Sequence, residues 1–486
     1  MKERQLYGQL TIFFALTMIT ILSLVLLLIE GARTSALRLT IASTYRTAGE
    51  SVLAGYHREV FERYGIFLFD ASEVEKTMTE VMKRNWEKDL AGVMLGARNL
   101  LALEIQDVQL EKVTLATDDA GKVIWRQCVL CMEEAYGVSY LKQMMELLGY
   151  VEDQGLLNQE IKIAYGEEEI THADLGEGMW DADLRKTLIP DTFSWLEREA
   201  LSFLLGNEKF SQRNLIEGER VSERDLEIGE GLVEEHSFDN NHWNKLLFLE
   251  YLIDYTGNYV RQLEDGHLKY QVEYILNGCT TDGENLWETA RCLLELRMGA
   301  NMVGILLDEE KTLAVKDLSE SLATTIGNPE VIPVIYAALL LIWAEIEGIY
   351  DVKQLLDGES VSLIKTTEEW LIDVSLLSKV AQLKEERKQN QEEAAEVQFD
   401  FFAEQKRADT EGGEKLWYED YLRILLWLED EEVIALRFMD IMESDIRSVT
   451  EDKDFNLNRY ADRIWVRAKV LSGYGTEFSI YREYGY

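Results

Sequence analysis

With 90 aspartates and glutamates against 49 lysines and arginines in 486 residues, the chain carries a formal charge of −41. That excess excludes nucleic acid as a partner, since phosphate binding needs basic patches, and disfavours direct attraction of the body to an anionic membrane surface. Hydrophobic residues at 47% and charged ones at 29% describe a globular chain too long for one ordinary core, and the scarcity of proline (Pro190, Pro329 and Pro333) favours a mainly helical fold.

The chain opens on grease. From Leu10 to Ile29 there are twenty residues without charge, glycine or proline. As a helix they span about 30 Å, the hydrocarbon thickness of a bilayer, and they outrun the usual core of a signal peptide, about 7 to 15 residues. A retained anchor through Leu10 to Ile29 is the expectation; a removed signal is the competing reading, because small residues follow in "EGARTSA". Lys2 and Arg4 before the span, against Arg33 and Arg38 after it, tip the basic bias towards an inside N-terminus with the body outside. Beyond the span, Leu37, Ile41, Tyr45, Ala48, Val52, Tyr56 and Val60 recur at steps of three or four, one apolar stripe on a helix. The simplest reading is one rod from Gly8 to Tyr64.

"GIFLFD" reads as a strand, as does the alternation of Ile105, Val108, Leu110, Val113 and Leu115, with "DDAG" as a turn before Val123 to Trp125. The stretch "WRQCVLCMEEAYGVSYLKQMMELLGY" reads as one helix, with Cys128 and Cys131 near one face. In the glutamate- and glycine-rich middle, "DTFSWLEREALSFLLG" is a helix with Asp191 as a cap. "NHWNKLLFLEYLIDYTGNYV" begins a helical region and "HLKYQVEYIL" leans towards a strand. "DGENLWETARCLLELRMGANMVGILLD" is a helix capped by Thr281 or Asp282. The fourteen uncharged residues from Val331 to Ala344 reach only about 21 Å, so a buried core helix is favoured over a second span, with Pro333 in its first turn. Lys384 to Gly413 form a charged excursion with an aromatic patch at Phe399, Phe401 and Phe402. A helical pair follows in "LWYEDYLRILLWLEDEEVIALRFMDIMESDIR", and "RIWVRAKVLSGYGTEFSIYREYGY" alternates as edge strands added to the sheet.

The chemistry expected is sparse. His57, His172, His236, His242 and His267 include no HExxH, and the Gly-x-Ser-x-Gly elbow, Walker loop and GxGxxG fingerprint are missing. His236 and His242 beside Asp239 hint weakly at a metal, and Asp181 to Asp183 offer a carboxylate pair for glycoside hydrolysis. In so acidic a chain both readings yield to exposed loop residues. Cys279 and Cys292 do not complete a zinc site with the first two cysteines. No catalytic, cofactor or metal residue is assigned; the redox state of Cys128, Cys131, Cys279 and Cys292 stays open.

A membrane helix prolonged into an amphipathic one is similar to type IV pilin-like proteins. "GQLTIFFAL" resembles the Gly-x-x-x-x-Glu-Phe-Ala-Leu start of TadE/TadG-like proteins through Gly8, Phe14, Ala15 and Leu16, with Phe13 where that pattern has glutamate. "ERYGIFLFD", "YQVEYILNGCTTDGENL", "LLELRMGANMVGILLD", "LLIWAEIEGIYDVKQLLDGESVSLIKTTEEW" and "YEDYLRILLWLED", in this order, resemble a family of uncharacterised single-span envelope proteins of Gram-positive bacteria associated with Tad-like pilus genes. The resemblance implies a pilus or secretion partner and no catalytic residue. The fold expected is α+β and predominantly helical: an anchor at 1–31, a pilin-like helix plus small antiparallel sheet at 32–148, an acidic insert at 149–231, a helical core at 232–383, a charged excursion at 384–415, and C-terminal helices and tail strands at 416–486. The function expected is that of a non-enzymatic structural or assembly component in the cytoplasmic membrane; the alternatives are a tethered carboxylate-dependent hydrolase and an envelope sensor or adhesin. Ala32, Ser35 and Ala36 would admit a neighbouring helix.

Overall fold

The computed structural model describes residues 2–90, 102–133, 135–154, 163–165, 168–170, 210–215, 220–231, 241–374, 377, 415–450 and 453–486. In chain order these form α1 (Lys2–Leu53), α2 (Arg58–Tyr64), β1 (Phe69–Asp70), α3 (Val74–Leu90), β2 (Leu103–Leu115), α4 (Lys122–Glu133), α5 (Val138–Gln154), β3 (Ile163–Tyr165) and β4 (Glu168–Ile170). There follow α6 (Asn241–Tyr255), α7 (Gln271–Asn277), α8 (Asp282–Leu307), α9 (Glu309–Ile326), α10 (Ile332–Leu356), β5 (Val361–Ser362), β6 (Lys415–Leu416), α11 (Tyr418–Leu428), α12 (Glu431–Val449), β7 (Tyr460–Ser472) and β8 (Glu477–Gly485). The fold is α+β and predominantly helical. Its residues group into two compact units, one of Met1–Gln127, Asp225–Ser237 and Asp452–Tyr486, the other of Cys128–Arg224 and Phe238–Glu451.

The first unit is a helix-backed sheet. α1 is long and apolar enough to cross a membrane, and its large apolar side chains from Leu10 to Ile29 all stand exposed. Further on the same helix turns inward: Leu37, Ile41, Tyr45, Ala48 and Val52 are buried, as their spacing predicts. The sheet they meet is antiparallel, with β7 in the middle, β2 along one side and β8 along the other, and β1 pairing the first residues of β7. Alternation along β7 sends Ile464, Val466, Ala468 and Val470 into the core with α1 and α3. Its opposite face carries cross-strand pairs, Arg467 to Glu111 and Arg463 to Glu483, as expected of an antiparallel sheet with one wet side. Register shifts at Ile105/Asp107, Leu110/Lys112 and Thr114/Leu115 bend β2 and raise its local twist.

Several expectations are corrected here. The rod stops at Leu53; a turn at Ala54 and Gly55 follows, and His57 caps α2, its Nδ1 accepting from the Val60 amide at 3.3 Å. The tail strands are not both edges, since β7 is central. "GIFLFD" supplies only the two-residue β1. "DDAG" is a turn, with Asp119 and Ala120 at positive φ, but Val123 to Trp125 lie in α4, so the chain leaves the turn into a helix. The cysteine-bearing helix is two helices, α4 and α5, parted around Gly137.

The second unit is a helix assembly: α8 and α9 pack on α10, α7 on α8 and α12, and α6 on α11. α10 also passes the length and hydropathy test for a span, but 78% of its apolar window is buried, which makes it the core helix the short uncharged run suggests. Pro333 sits in its first turn, and Thr281 closes a capping box with Glu284 at the start of α8. "HLKYQVEYIL" contains the helix α7 rather than a strand. Its Leu268–Tyr270–Val272–Tyr274 alternation mimics a strand, yet residues 271–276 are all buried, so no polar face marks the helical period. The proposed helix at Asp191 and the excursion from Lys384 to Gly413 lie outside the described residues.

The contact of α1 with β8 is close enough to require glycine. A Cβ on Gly49 would lie 2.1 Å from the ring of Tyr484, whose hydroxyl donates to the Tyr45 carbonyl at 2.9 Å, while the Tyr45 hydroxyl donates to the Val466 carbonyl at 2.6 Å. Gly49→Ala is therefore expected to lower the stability of the sheet unit by about 1–3 kcal/mol through overpacking, and Tyr484→Phe by about 1 kcal/mol through the lost hydrogen bond. Denaturant melts of the full chain in detergent measure both.

Candidate functional site

The described histidines have structural partners. His57 caps α2 and packs against Phe455 and Tyr460; the His267 amide donates to Asp445 at 2.6 Å, and its ring lies 3.1 Å from the Asn214 carbonyl; the His242 ring lies over Trp427. His172, His236, Asp239, Asp181 to Asp183 and the phenylalanine patch at Phe399, Phe401 and Phe402 lie outside the described residues. All four cysteines are free; Cys128 is buried, with its thiol pushed well up by desolvation, and Cys131 lies 3.4 Å from the Tyr255 hydroxyl. Among the described residues no group of three or more His, Cys, Asp or Glu side chains is placed to hold a metal ion. Ser35 and Ala32 are exposed on α1, the Ser35 hydroxyl bonding back to the Gly31 carbonyl at 2.9 Å.

The densest chemistry is a charge cluster wholly inside the helical unit, between α8, α10 and the chain after β5. Helical spacing puts Glu347 and Asp351, four apart on α10, on one side of that helix. Arg297 from α8 donates to Asp351 through Nε at 3.1 Å and Nη2 at 2.9 Å, and through Nη1 to the Leu363 carbonyl and the Tyr421 hydroxyl, both at 2.8 Å. The Lys365 ammonium lies 2.6 Å from both Asp351 and Glu347. Glu347 also accepts the backbone amides of Leu371 and Ile372, each at 3.0 Å, and Asn301 donates to Asp351 at 2.9 Å. The indole of Trp370 receives two cations, Lys311 at 4.9 Å and Lys365 at 5.2 Å from its ring centroid. Two cations thus face two carboxylates, each held by further hydrogen bonds, the condition under which buried charge is tolerated. Such an array fixes helices and the loop they carry, and offers no open acid, base or nucleophile.

A second set of buried carboxylates surrounds α7. Asp282 accepts from Ser211, Lys269 and Tyr270; Asp440 from Ser222 and Tyr274; Asp445 from His267 and Gln271. Asp282 and Asp445 tie non-helical stretches to helices, and Asp440 ties α12 to the short 3-10 turn at Val221–Glu223 and to α7. Glu273 differs. Its Oε1 accepts from the Tyr259 amide at 2.7 Å and the Tyr418 hydroxyl at 2.8 Å, but its Oε2, fully buried, has no partner. Desolvation is the main cause that pushes its carboxyl up to about 7, and the hydrogen bonds from Tyr259 and Tyr418 only partly oppose it. Glu250 and Asp440 are also raised, again chiefly by burial. Burial thus favours the protonated carboxyl of Glu273 up to near neutrality. Charged residues standing at buried positions of apolar helices, as in "LLELRMGAN", "AEIEGIYDV" and "FMDIMESDI", are the signal in the sequence for both clusters.

Removing one partner from the cluster strands the others in an apolar core. Arg297→Ala is expected to cost about 3–5 kcal/mol, and the paired change Arg297→Met with Asp351→Leu clearly less, since it leaves Lys365 matched to Glu347; urea unfolding followed by tryptophan fluorescence compares them. For Glu273, the folded chain keeps a proton that the unfolded chain gives up above its ordinary carboxylate value. The contribution of Glu273 to stability is therefore full at low pH and is lost as pH rises from about 4.5 through about 7, by on the order of 3 kcal/mol. Glu273→Gln is expected to flatten that decline, read from melts at closely spaced pH values.

Residues 180–472 match the model of a family of unknown function, DUF5702. No curated protein and no solved structure matches the chain. The match covers the helical unit from residue 180 onward, including α6 to α12, and runs through β7, leaving α1 to α5 outside it. With more than half of its length in the match, the chain belongs to this family of unknown function, DUF5702.

Proposed function

We propose that the protein is a non-catalytic envelope component held in the cytoplasmic membrane by α1, with its N-terminus inside and both folded units outside, and that it serves as a structural or assembly part of a Tad-like pilus or secretion system. The observation that carries this reading is the continuity of α1. One helix runs without a break from an exposed apolar segment of bilayer length into the core of the sheet unit. An anchor built in this way transmits position, because the body cannot swing on a flexible linker. The buried carboxylates add support: apart from Glu273, those described above are engaged in ion pairs and hydrogen bonds that fasten one segment to another, which suits a scaffold rather than a hydrolase that needs an open acid and base. The TadE/TadG-like start at Gly8 to Leu16 and the basic residues Lys2 and Arg4 point to the partner class and the orientation.

Carbonate-washed vesicles are expected to retain the full-length chain, with residues 1–33 intact, while a version lacking them is released. A membrane-impermeant maleimide is expected to label a cysteine placed at exposed Ser479 in intact cells, above the background of the native chain; labelling only after lysis reverses the orientation. Mild cross-linking in cells should recover pilus or secretion subunits, and their absence removes the assembly role.

A further inference from the structure

We propose that the tip of the β7–β8 hairpin, with Tyr474 at its end, rests in the zwitterionic headgroup layer, so that the sheet unit is seated on the bilayer at a second point beside α1. The inference rests on the reading of α1 as a membrane-spanning helix.

The geometry fixes how near the tip comes. Ile29 is the final residue of the uncharged segment, and the next turn of α1 carries Glu30 and Arg33. Arg33 donates to the Glu30 carboxylate through Nε at 2.9 Å and Nη2 at 2.5 Å, so its guanidinium reaches back along the helix towards the apolar segment, as helical side chains do. That guanidinium lies 4.5 Å from the centroid of the Tyr474 ring. The ring is therefore level with the Glu30–Arg33 turn, within one helical turn of the apolar segment, about 5.4 Å. The headgroup zone adds roughly 5–7 Å on each side of the hydrocarbon. If Leu10 to Ile29 fill the hydrocarbon, Tyr474 stands in that zone.

The tip is also built to hold its place. The Gly473 amide donates to the Ala102 carbonyl at 2.9 Å and the Gly475 amide to the Ser472 carbonyl at 2.8 Å, while the Ser472 hydroxyl accepts the Thr476 amide at 3.0 Å. Gly475 adopts φ 82°, which closes the turn. Tyr474 is left 49% exposed. A tyrosine has an apolar ring and a polar tip, the combination enriched where lipid meets water. With a formal charge of −41 the body is repelled by anionic lipid, so the contact falls to the aromatic ring and to neutral, zwitterionic headgroups. The ordinary alternative is a tyrosine on a turn in bulk water.

Benzoylphenylalanine incorporated singly at Phe14, Tyr474 or Tyr481 in the full chain, reconstituted in phosphatidylcholine vesicles and irradiated, separates these. Tyr481 lies seven residues farther along the hairpin, about 23 Å at the strand rise. Lipid adducts by mass spectrometry are expected at positions 14 and 474 and not at 481. Adducts at 14 without any at 474 overturn the hairpin contact and leave the span standing. Adducts at 481 as well show that the body lies on its side and also overturn it, while none at 14 removes the span itself and the inference with it.

Discussion

A single uninterrupted ladder of backbone hydrogen bonds underlies the sheet unit. α1 runs from Lys2 to Leu53, so its exposed apolar half and its buried half turn as one body. The helix satisfies its own backbone groups throughout, which any segment in hydrocarbon must do. The switch from exposed to buried is made by side chains alone. From Leu10 to Ile29 the helix carries no charge on any side; beyond it, Leu37, Ile41, Tyr45, Ala48 and Val52 form one buried stripe while Arg38, Arg46 and Glu50 take other positions. The sheet then closes over that stripe, with Tyr45 and Tyr484 bonding in both directions across the contact.

The helical unit solves a different problem, that of a strongly acidic chain with several of its carboxylates inside. Repulsion between carboxylates is relieved in three ways. Arg297 and Lys365 neutralise Glu347 and Asp351 directly; Asp282, Asp440 and Asp445 are spent on backbone and hydroxyl donors; and Glu273 is pushed towards its neutral form by burial. The unit therefore holds both a charge framework and a proton-dependent element within one core.

The sequence makes the long-range pattern of α1 legible because one polar face opposes one apolar face over many turns. The stripe from Leu37 to Val60 is visible for that reason, and so is the core helix around Val331 to Ala344, whose length falls short of a bilayer. The end of the rod was less legible: Ala54 and Gly55 are compatible with helix, and only the cap at His57 and the pairing of Phe69 with Ala461 show where the chain turns. α7 reads as a strand in the sequence because burial on every side erases periodicity in so short a helix. The charge cluster was invisible as a cluster for another reason. Arg297 and Asp351 stand 54 positions apart, and the sequence marks each as a charge among apolar residues without naming its partner. The central place of β7 is hidden likewise, because strand order is set by pairing and not by alternation.

The discontinuity of the sheet unit has a consequence for biosynthesis. Its central strand joins residues that leave the ribosome long after α1, with Tyr45 and Tyr484 separated by 439 positions. At roughly 5–20 residues per second, the part of the emerging helix that meets the sheet stays without that cover for about 20–90 s, with only the early-made α3 at hand to pack on it. During that interval it depends on whatever shields nascent chains, and a message truncated within β7 would leave it without its sheet indefinitely, a natural handle for quality-control proteolysis.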